Sequence, residues 1–309
     1  MNTNETSNDF YSKEYQEFYN RSIDPNTNQK FWYEESKELF WYKAPTEDNI
    51  LSCEKPPFYK WYSKSTTNIC YNCLDRHVKN NLGSNLALIH ESAYTNKTTT
   101  LTYQEALDHV GKLAYVMKNK FGVKKGDRVI IYMPMTPEGI LSMLACARIG
   151  AIHSVVFGGF AVNELENRID SAKPVLIITA SVGIEPKKKI PYYPIIREAL
   201  NGKRINILML QRTEFFEEKN VIEDITFDYY TELGLAKEIE PCEEMNSNDI
   251  LYILYTSGTT GSPKGIARDT GGTCVALNFS GKYIMDLHPG DVTFSTSDIG
   301  WVYIVLLII

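Results

Sequence analysis

Apolar positions along this chain change period at about residue 86, and the change predicts two kinds of structure. Beyond that point short apolar runs alternate with stretches of helical spacing. Residues 86–90 and 99–103 read as short strands. Ala106, Leu107, Val110, Ala114, Met117 and Phe121 then fall on one helical face. Thr102-Tyr103-Gln104-Glu105 ahead of them is a capping-box sequence, and Gly122 marks the end. A strand at 128–133 follows. Thr136 is expected to cap the next helix, with Pro137 at its first position and Gly150 past its end. The pattern continues with strand 152–157, helix 162–171, strand 175–179, helix 195–201 and strand 205–210. The apolar run 250–255 predicts a strand buried on both faces, and 291–296 a further strand.

This alternation specifies an α/β fold with mainly parallel sheets, right-handed crossovers and flanking helices. Ligands in such sheets bind beyond the carboxyl ends of the strands. Residues 1–85 are different: Tyr, Phe and Trp recur between polar residues, with only a short helical candidate at 28–42. Aromatics in that arrangement anchor a segment that wraps over a larger domain.

The composition, 43% hydrophobic and 23% charged over 309 residues, is that of a globular chain with length for a large core. A net charge of −6 without a basic stripe argues against a nucleic-acid partner. No apolar stretch reaches the ~20 residues that span a bilayer, so no membrane partner is expected. The first residues have neither an apolar signal core nor an Arg-rich transit character, and the expected address is cytoplasmic. Six scattered cysteines suggest reduced thiols. Cys70 and Cys73 form the one close pair. His77 alone does not complete a zinc site with them, so they read as ordinary cysteines and no metal ligand set is expected.

The most informative stretch is LYILYTSGTTGSPKG at 251–265. A strand runs into glycines, hydroxyls and one lysine, a combination whose backbone N–H groups can turn inward around a polyphosphate. The Walker pattern fails here. Counting from Gly258, Pro263 stands at the second glycine position, and Gly265 follows the lysine where Ser or Thr would hold Mg²⁺. The stretch instead resembles the phosphate loop of the AMP-forming acyl-CoA synthetases, [ST]-S-G-[ST]-[ST]-G-x-P-K-G, at every position from Thr256 to Gly265. Trp61-Tyr62, Asn68, Tyr71-Asn72-Cys73-Leu74-Asp75-Arg76-His77 and an early Phe-Trp resemble the extension of the short-chain, acetyl- and propionyl-CoA branch.

The resemblance implies the incomplete N-terminal domain of an adenylate-forming enzyme at 86–309, preceded by the aromatic-rich extension at 1–85, with the family's C-terminal domain absent. It implies a ligase that activates acetate or propionate with ATP and Mg²⁺ to an acyl-adenylate and passes the acyl group to coenzyme A. The partners are then small-molecule substrates. Thr256, Ser257, Gly258, Thr259, Thr260, Gly261 and Lys264 would surround the β- and γ-phosphates. Phe157, Gly158 and Gly159 would lie against coenzyme A, glycines admitting a bulky nucleotide to the backbone, although a Gly-Gly pair after a strand is otherwise a common turn. Lys188, in a basic stretch that reads equally as a solvated loop, would meet the coenzyme's phosphates; Glu185 stands where an acetyl-CoA synthetase has arginine. Trp301 and Val302, after Ser297-Asp298-Ile299-Gly300, would begin the acyl pocket. The resemblance supplies no catalytic residue within these 309 positions, which leaves a non-catalytic remnant that binds nucleotide or coenzyme A as the alternative reading.

Overall fold

The computed structural model describes residues 11–185, 188–215, 225–256, 263–294 and 297–300. Two helices open it, α1 (Lys13–Ile23) and α2 (Asn28–Ser36), followed by a hairpin of β1 (Leu51–Lys55) and β2 (Phe58–Trp61) and by the short β3 (Thr66–Thr67). A π-helical turn, Tyr71–Asp75, leads to the hairpin β4 (Leu86–Ser92) and β5 (Lys97–Thr102). The α/β core then runs α3 (Tyr103–Asn119), β6 (Arg128–Met133), α4 (Pro137–Arg148), β7 (Ile152–Phe157), α5 (Val162–Ala172) and β8 (Leu176–Ala180). A small hairpin of β9 (Val182–Glu185) and β10 (Lys188–Pro191) precedes α6 (Tyr192–Leu200) and β11 (Asn206–Leu210). The chain continues through β12 (Thr226–Asp228), α7 (Tyr229–Gly234), β13 (Met245–Asn246), β14 (Ile250–Thr256), β15 (Lys264–Asp269) and α8 (Thr270–Phe279).

Among the described residues seven strands form one sheet in the order β12-β11-β8-β6-β7-β14-β15, all parallel except β15, which is antiparallel to β14. The expected mainly parallel α/β architecture is therefore the observed one. The central strands β6, β8 and β11 are apolar and buried along almost their whole length. Each Ile or Leu taken fully from water contributes about 1.5–3 kcal/mol. β14 departs from the expectation of burial on both faces: Leu251 and Tyr252 are buried, but Ile250 is exposed and the rest are half-buried, because only β15 separates it from the sheet edge.

The topology fixes where a site can form. The path β6–α4–β7 moves one strand along the sheet, and β7–α5–β8 returns past β6 in the opposite direction. Right-handed crossovers in opposite directions put their helices on opposite faces. Accordingly α4 packs with α3 and α5 packs with α6. The carboxyl ends of β6 and β7 thus flank a topological switch point, where a crevice opens between diverging loops.

Local signals explain the helix ends. The capping box forms as read: Glu105 N–H donates to Thr102 Oγ1 at 3.2 Å and Thr102 N–H to Glu105 Oε2 at 2.8 Å. Gly122 and Gly150 take positive φ of 67° and 69°, which lets the chain reverse after α3 and α4. Thr136 does sit at the N-cap of α4, but its hydroxyl caps nothing and is buried without a partner. The helix expected at 28–42 ends at Ser36, where Trp41 Nε1 donates to the Ser36 carbonyl at 2.9 Å. Residues 291–294 form no strand, and Val292 and Phe294 stand exposed without sheet partners among the described residues.

The aromatic segment shares the core of the sheet. Leu39, Ile50, Tyr62, Ile69, Cys73 and Leu74 belong to the same buried cluster as β6 and β8. Phe18 stacks on Phe279 of α8, and Phe31 and Trp32 pack against the same ring edge-on and tilted. Asn68 Nδ2 donates to the carbonyls of Ala147 and Glu243, both at 2.9 Å, stitching the segment to α4 and to the approach of β13. No helix among the described residues is long and apolar enough to cross a membrane.

Candidate active site

A cavity of about 350 Å³ opens at the switch point. Pro134 and Met135 after β6, and Phe157 at the end of β7 with Gly158 and Gly159 after it, line it together with Gly183, Glu185, Tyr192, Arg212 and Asp298. The predicted Phe-Gly-Gly loop therefore lies where the sheet topology requires a ligand loop. The Asp298-Ile299-Gly300 segment joins it from far along the chain. Ile299 N–H donates to Met135 Sδ at 3.2 Å, and a Cβ added to Gly300 would lie 3.8 Å from Phe157 N. Two motifs separated by about 140 positions thus meet at one crevice.

Gly158 and Gly159 both line the cavity, and their lack of a Cβ has local reasons as well. A Cβ on Gly158 would lie 2.2 Å from Tyr192 Oη, and one on Gly183 2.3 Å from the same atom. Both glycines make room for the Tyr192 ring, which packs 4.7 Å from Tyr132 between centroids. A Cβ on Gly159 would strike the Phe157 ring at 2.4 Å. The cavity also offers a ligand the half-exposed Phe157 ring, with the loop beneath it fixed by Tyr132 Oη donating to the Phe160 carbonyl at 3.0 Å. Burial pushes the Tyr132 hydroxyl up to about 12, so it remains a donor.

Strand register brings the phosphate-loop flanks to the same edge. Tyr252 pairs with His153 between parallel β14 and β7, and four residues further on each strand come Thr256 and Phe157. Arg168 spans the gap, its guanidinium 4.6 Å from the Phe160 ring centroid and 5.5 Å from that of Tyr255. Lys264 opens β15 opposite Thr256 and is exposed. Ser257, Gly258, Thr259, Thr260 and Gly261 lie outside the described residues, as do Trp301 and Val302.

Lys188 does not line the cavity; on the far strand of the β9–β10 hairpin its ammonium meets Glu185 at 3.4 Å. Among the described residues Arg212 lines the cavity, and sequence reading missed it because it follows β11 with no motif around it. Arg212 is aimed by donation from its Nη1 to the Val182 carbonyl at 3.0 Å, and it lies 4.6 Å over the Phe215 ring. Burial lowers its pKa, with Glu214 acting in the opposite direction; it remains a cation with donors to spare. Asp298 is raised by burial, partly offset by the Gly300 N–H that donates to it at 2.7 Å. The wall therefore carries one desolvated guanidinium, able to donate to phosphate oxygens, and one buried carboxyl, Asp298, whose anionic form burial disfavours.

This fold and crevice define an AMP-binding enzyme: residues 75–309 match that family, residues 15–73 match the acetyl-coenzyme A synthetase N-terminus, and the chain belongs to the family. The relatives it matches include acyl-CoA synthetases. The acyl-CoA synthetase short-chain family member 3, mitochondrial, of Mus musculus is 45% identical over 276 residues, covering 89% of this chain and 40% of the relative. An acetyl-coenzyme A synthetase of Bartonella quintana (strain Toulouse) is 40% identical over 294 residues, covering 93% of this chain and 44% of the relative. Among solved structures, an acetoacetyl-CoA synthetase from Streptomyces lividans superposes with a TM-score of 0.79 over 93% of this chain and 44% of that one, at 24% identity, which shows the common fold. The chain spans about 40% of the length of the Mus musculus relative. The short-chain acyl-CoA synthetase resemblance read from the motifs is borne out.

Proposed function

We propose that this chain supplies the nucleotide- and coenzyme-binding part of an AMP-forming ligase that joins acetate or propionate to coenzyme A. In the first half-reaction the carboxylate attacks the α-phosphorus of MgATP and pyrophosphate leaves. In the second, the coenzyme thiol attacks the acyl carbonyl and AMP leaves. Both steps rest on stabilising charge at phosphate oxygens and need no protein nucleophile. The observation that carries the reading is the convergence at one sheet edge of the Phe157 loop, the Asp298 segment and the strand that leads into the 256–265 loop. In this reading Thr256, Lys264 and the hydroxyls and glycines between them hold the β- and γ-phosphates. Phe157 lies against the coenzyme, and Arg212, rather than Lys188, meets its phosphates.

Isothermal titration of coenzyme A into the chain tests the second assignment. A hydrogen bond to a charged group contributes about 1.5–3 kcal/mol, so Arg212→Met is expected to weaken binding by about 10–100-fold. Lys188→Met is expected to leave it within about 2-fold, because its ammonium pairs with Glu185. The reverse order of effects would restore the sequence-based assignment. In a form extended to the relatives' length, AMP release is expected with acetate or propionate; release with neither acid while ATP still binds would leave binding alone as the function. The Mus musculus relative is named mitochondrial. A cytoplasmic address is part of the proposal, to be checked by cell fractionation.

A further inference from the structure

Away from the crevice, the carboxyl end of α4 gathers a second cluster. Cys70 is buried in the π-helical region of the aromatic segment, and Cys242 is half-buried in the stretch leading to β13. The two sulfurs and an Asp75 oxygen all lie within 4.8 Å of one another. Cys242 donates to Asp75 Oδ2 at 3.6 Å, while Arg148 Nη1 reaches Asp75 Oδ2 at 2.8 Å and Cys70 Sγ at 3.5 Å. Arg148 Nη2 takes the other Asp75 oxygen at 3.1 Å. A metal ion on this triad would sit against the guanidinium and compete for carboxylate oxygens that already accept N–H bonds. The cation position is filled from within the chain.

We propose that Cys70 and Cys242 form a reversible disulfide when the protein meets hydrogen peroxide, clasping the aromatic segment to the stretch that leads into β14. The chemistry follows from the neighbours. Burial alone would push the Cys70 thiol up, but hydrogen bonding by Cys242 and the charge of Arg148 outweigh it and hold Cys70 below its ordinary value. The hydrogen bond to Cys70 and burial hold the Cys242 thiol well above its ordinary value, so the pair ionises first at Cys70, beside one guanidinium. Cys242 is half-buried and Cys70 buried, so peroxide approaches the pair from the Cys242 side. The Cys70 thiolate attacks peroxide, the O–O bond breaks, and hydroxide leaves to become water, giving a sulfenic acid. Cys242 sulfur then attacks Cys70 Sγ, the S–O bond breaks, and the leaving hydroxide takes the Cys242 proton. Two thiols and one peroxide become one disulfide and two waters. Oxidation leaves Asp75 and Arg148 as a one-to-one pair with no third charge beside them.

The sequence conceals this pair because the Cys70–Cys73 spacing draws attention to the wrong partner. Cys73 is buried behind Cys70, with its thiol pushed well up by burial.

The test is to oxidise the folded chain with hydrogen peroxide, alkylate remaining thiols in denaturant, digest, and map the products by mass spectrometry. The expected product is a Cys70–Cys242 linked peptide pair, two hydrogens lighter than the reduced pair and restored by dithiothreitol. The oxidised chain should melt about 5–10 °C higher, since the bond closes a long loop. Cys242→Ser keeps a donor to Asp75, so it should fold normally but lose the oxidation-dependent rise. Oxidation in urea should scatter the pairing. The proposal fails if peroxide modifies the exposed Cys53 while Cys70 and Cys242 are both recovered alkylated, or if Cys70 links to Cys73. It fails too if urea gives the same pair in the same yield, or if the purified chain retains one zinc ion that blocks both thiols.

Discussion

The two ends of α4 treat buried polarity in opposite ways. At the carboxyl end Arg148, 3% exposed, has Asp75 as a bidentate partner, the Glu240 carbonyl on Nε and Cys70 Sγ on Nη1. Its own carbonyl accepts from Glu243 N–H at 2.7 Å. At the amino end the Thr136 hydroxyl is buried with no partner, and the loop before it opens into the crevice through Pro134 and half-exposed Met135. A saturated network holds two distant segments together, whereas an unsatisfied one borders a cavity where ligand and protein groups still have bonds to make. One helix thus fastens the fold at one end and borders the site at the other.

Breaking the fastened end should have the largest effect. Arg148→Met leaves Asp75 buried without its cation and is expected to cost about 3–5 kcal/mol in urea unfolding. Adding Asp75→Asn should recover part of that loss; a cost below about 1 kcal/mol for the single change would show that the network holds nothing together.

Acid asks whether the sheet between the two ends yields before either of them. His153 in β7 is buried, its Nδ1 has no partner, and burial lowers its pKa to about 4. The unfolded chain takes up this proton near pH 6.5 and the folded chain only near 4, so stability is lost as pH falls through that window. The histidine accounts for about 2–3 kcal/mol of the loss by pH 4. His153→Phe should flatten the stability curve between those values, measured by urea titrations at successive pH. An unchanged slope would place the acid sensitivity with His77 and His109, whose pKa values burial also lowers to about 4.

At the crevice end, Gly158→Ala drives a methyl into Tyr192 Oη and should cost about 1–3 kcal/mol. Introducing it into a Tyr192→Phe background removes the atom it strikes, so thermal melts should show a smaller penalty there. Equal penalties would mean that the backbone, and not Tyr192, demands the glycine.

The smallest effect sharpens the contrast most. Thr136→Val removes a hydroxyl that makes no bond, so stability should hold or rise by up to about 1 kcal/mol. A loss comparable to that of Arg148→Met would mean that the hydroxyl has a partner and that the two ends are alike.

Local signals made much of this protein legible before folding. Arg128–Met133 and Ile152–Phe157 are read at their observed bounds because each carries the mainly apolar run that a strand inside the sheet requires. The Thr102 capping box and the glycines at 122 and 150 mark helix ends through bonds and dihedrals that depend only on neighbours in the chain. The loop chemistry of 256–265 and the Phe-Gly-Gly turn are likewise written in consecutive residues, which is why the family could be named from them. Tertiary structure decided what depends on approach between distant segments. It put Arg212 rather than Lys188 on the cavity wall, filled the space above Gly158 with Tyr192, and gave Cys70 a partner 172 positions away rather than three. Sheet order sets these meetings, and order follows from which faces the crossover helices cover, a property of the assembled layers that no window of sequence contains.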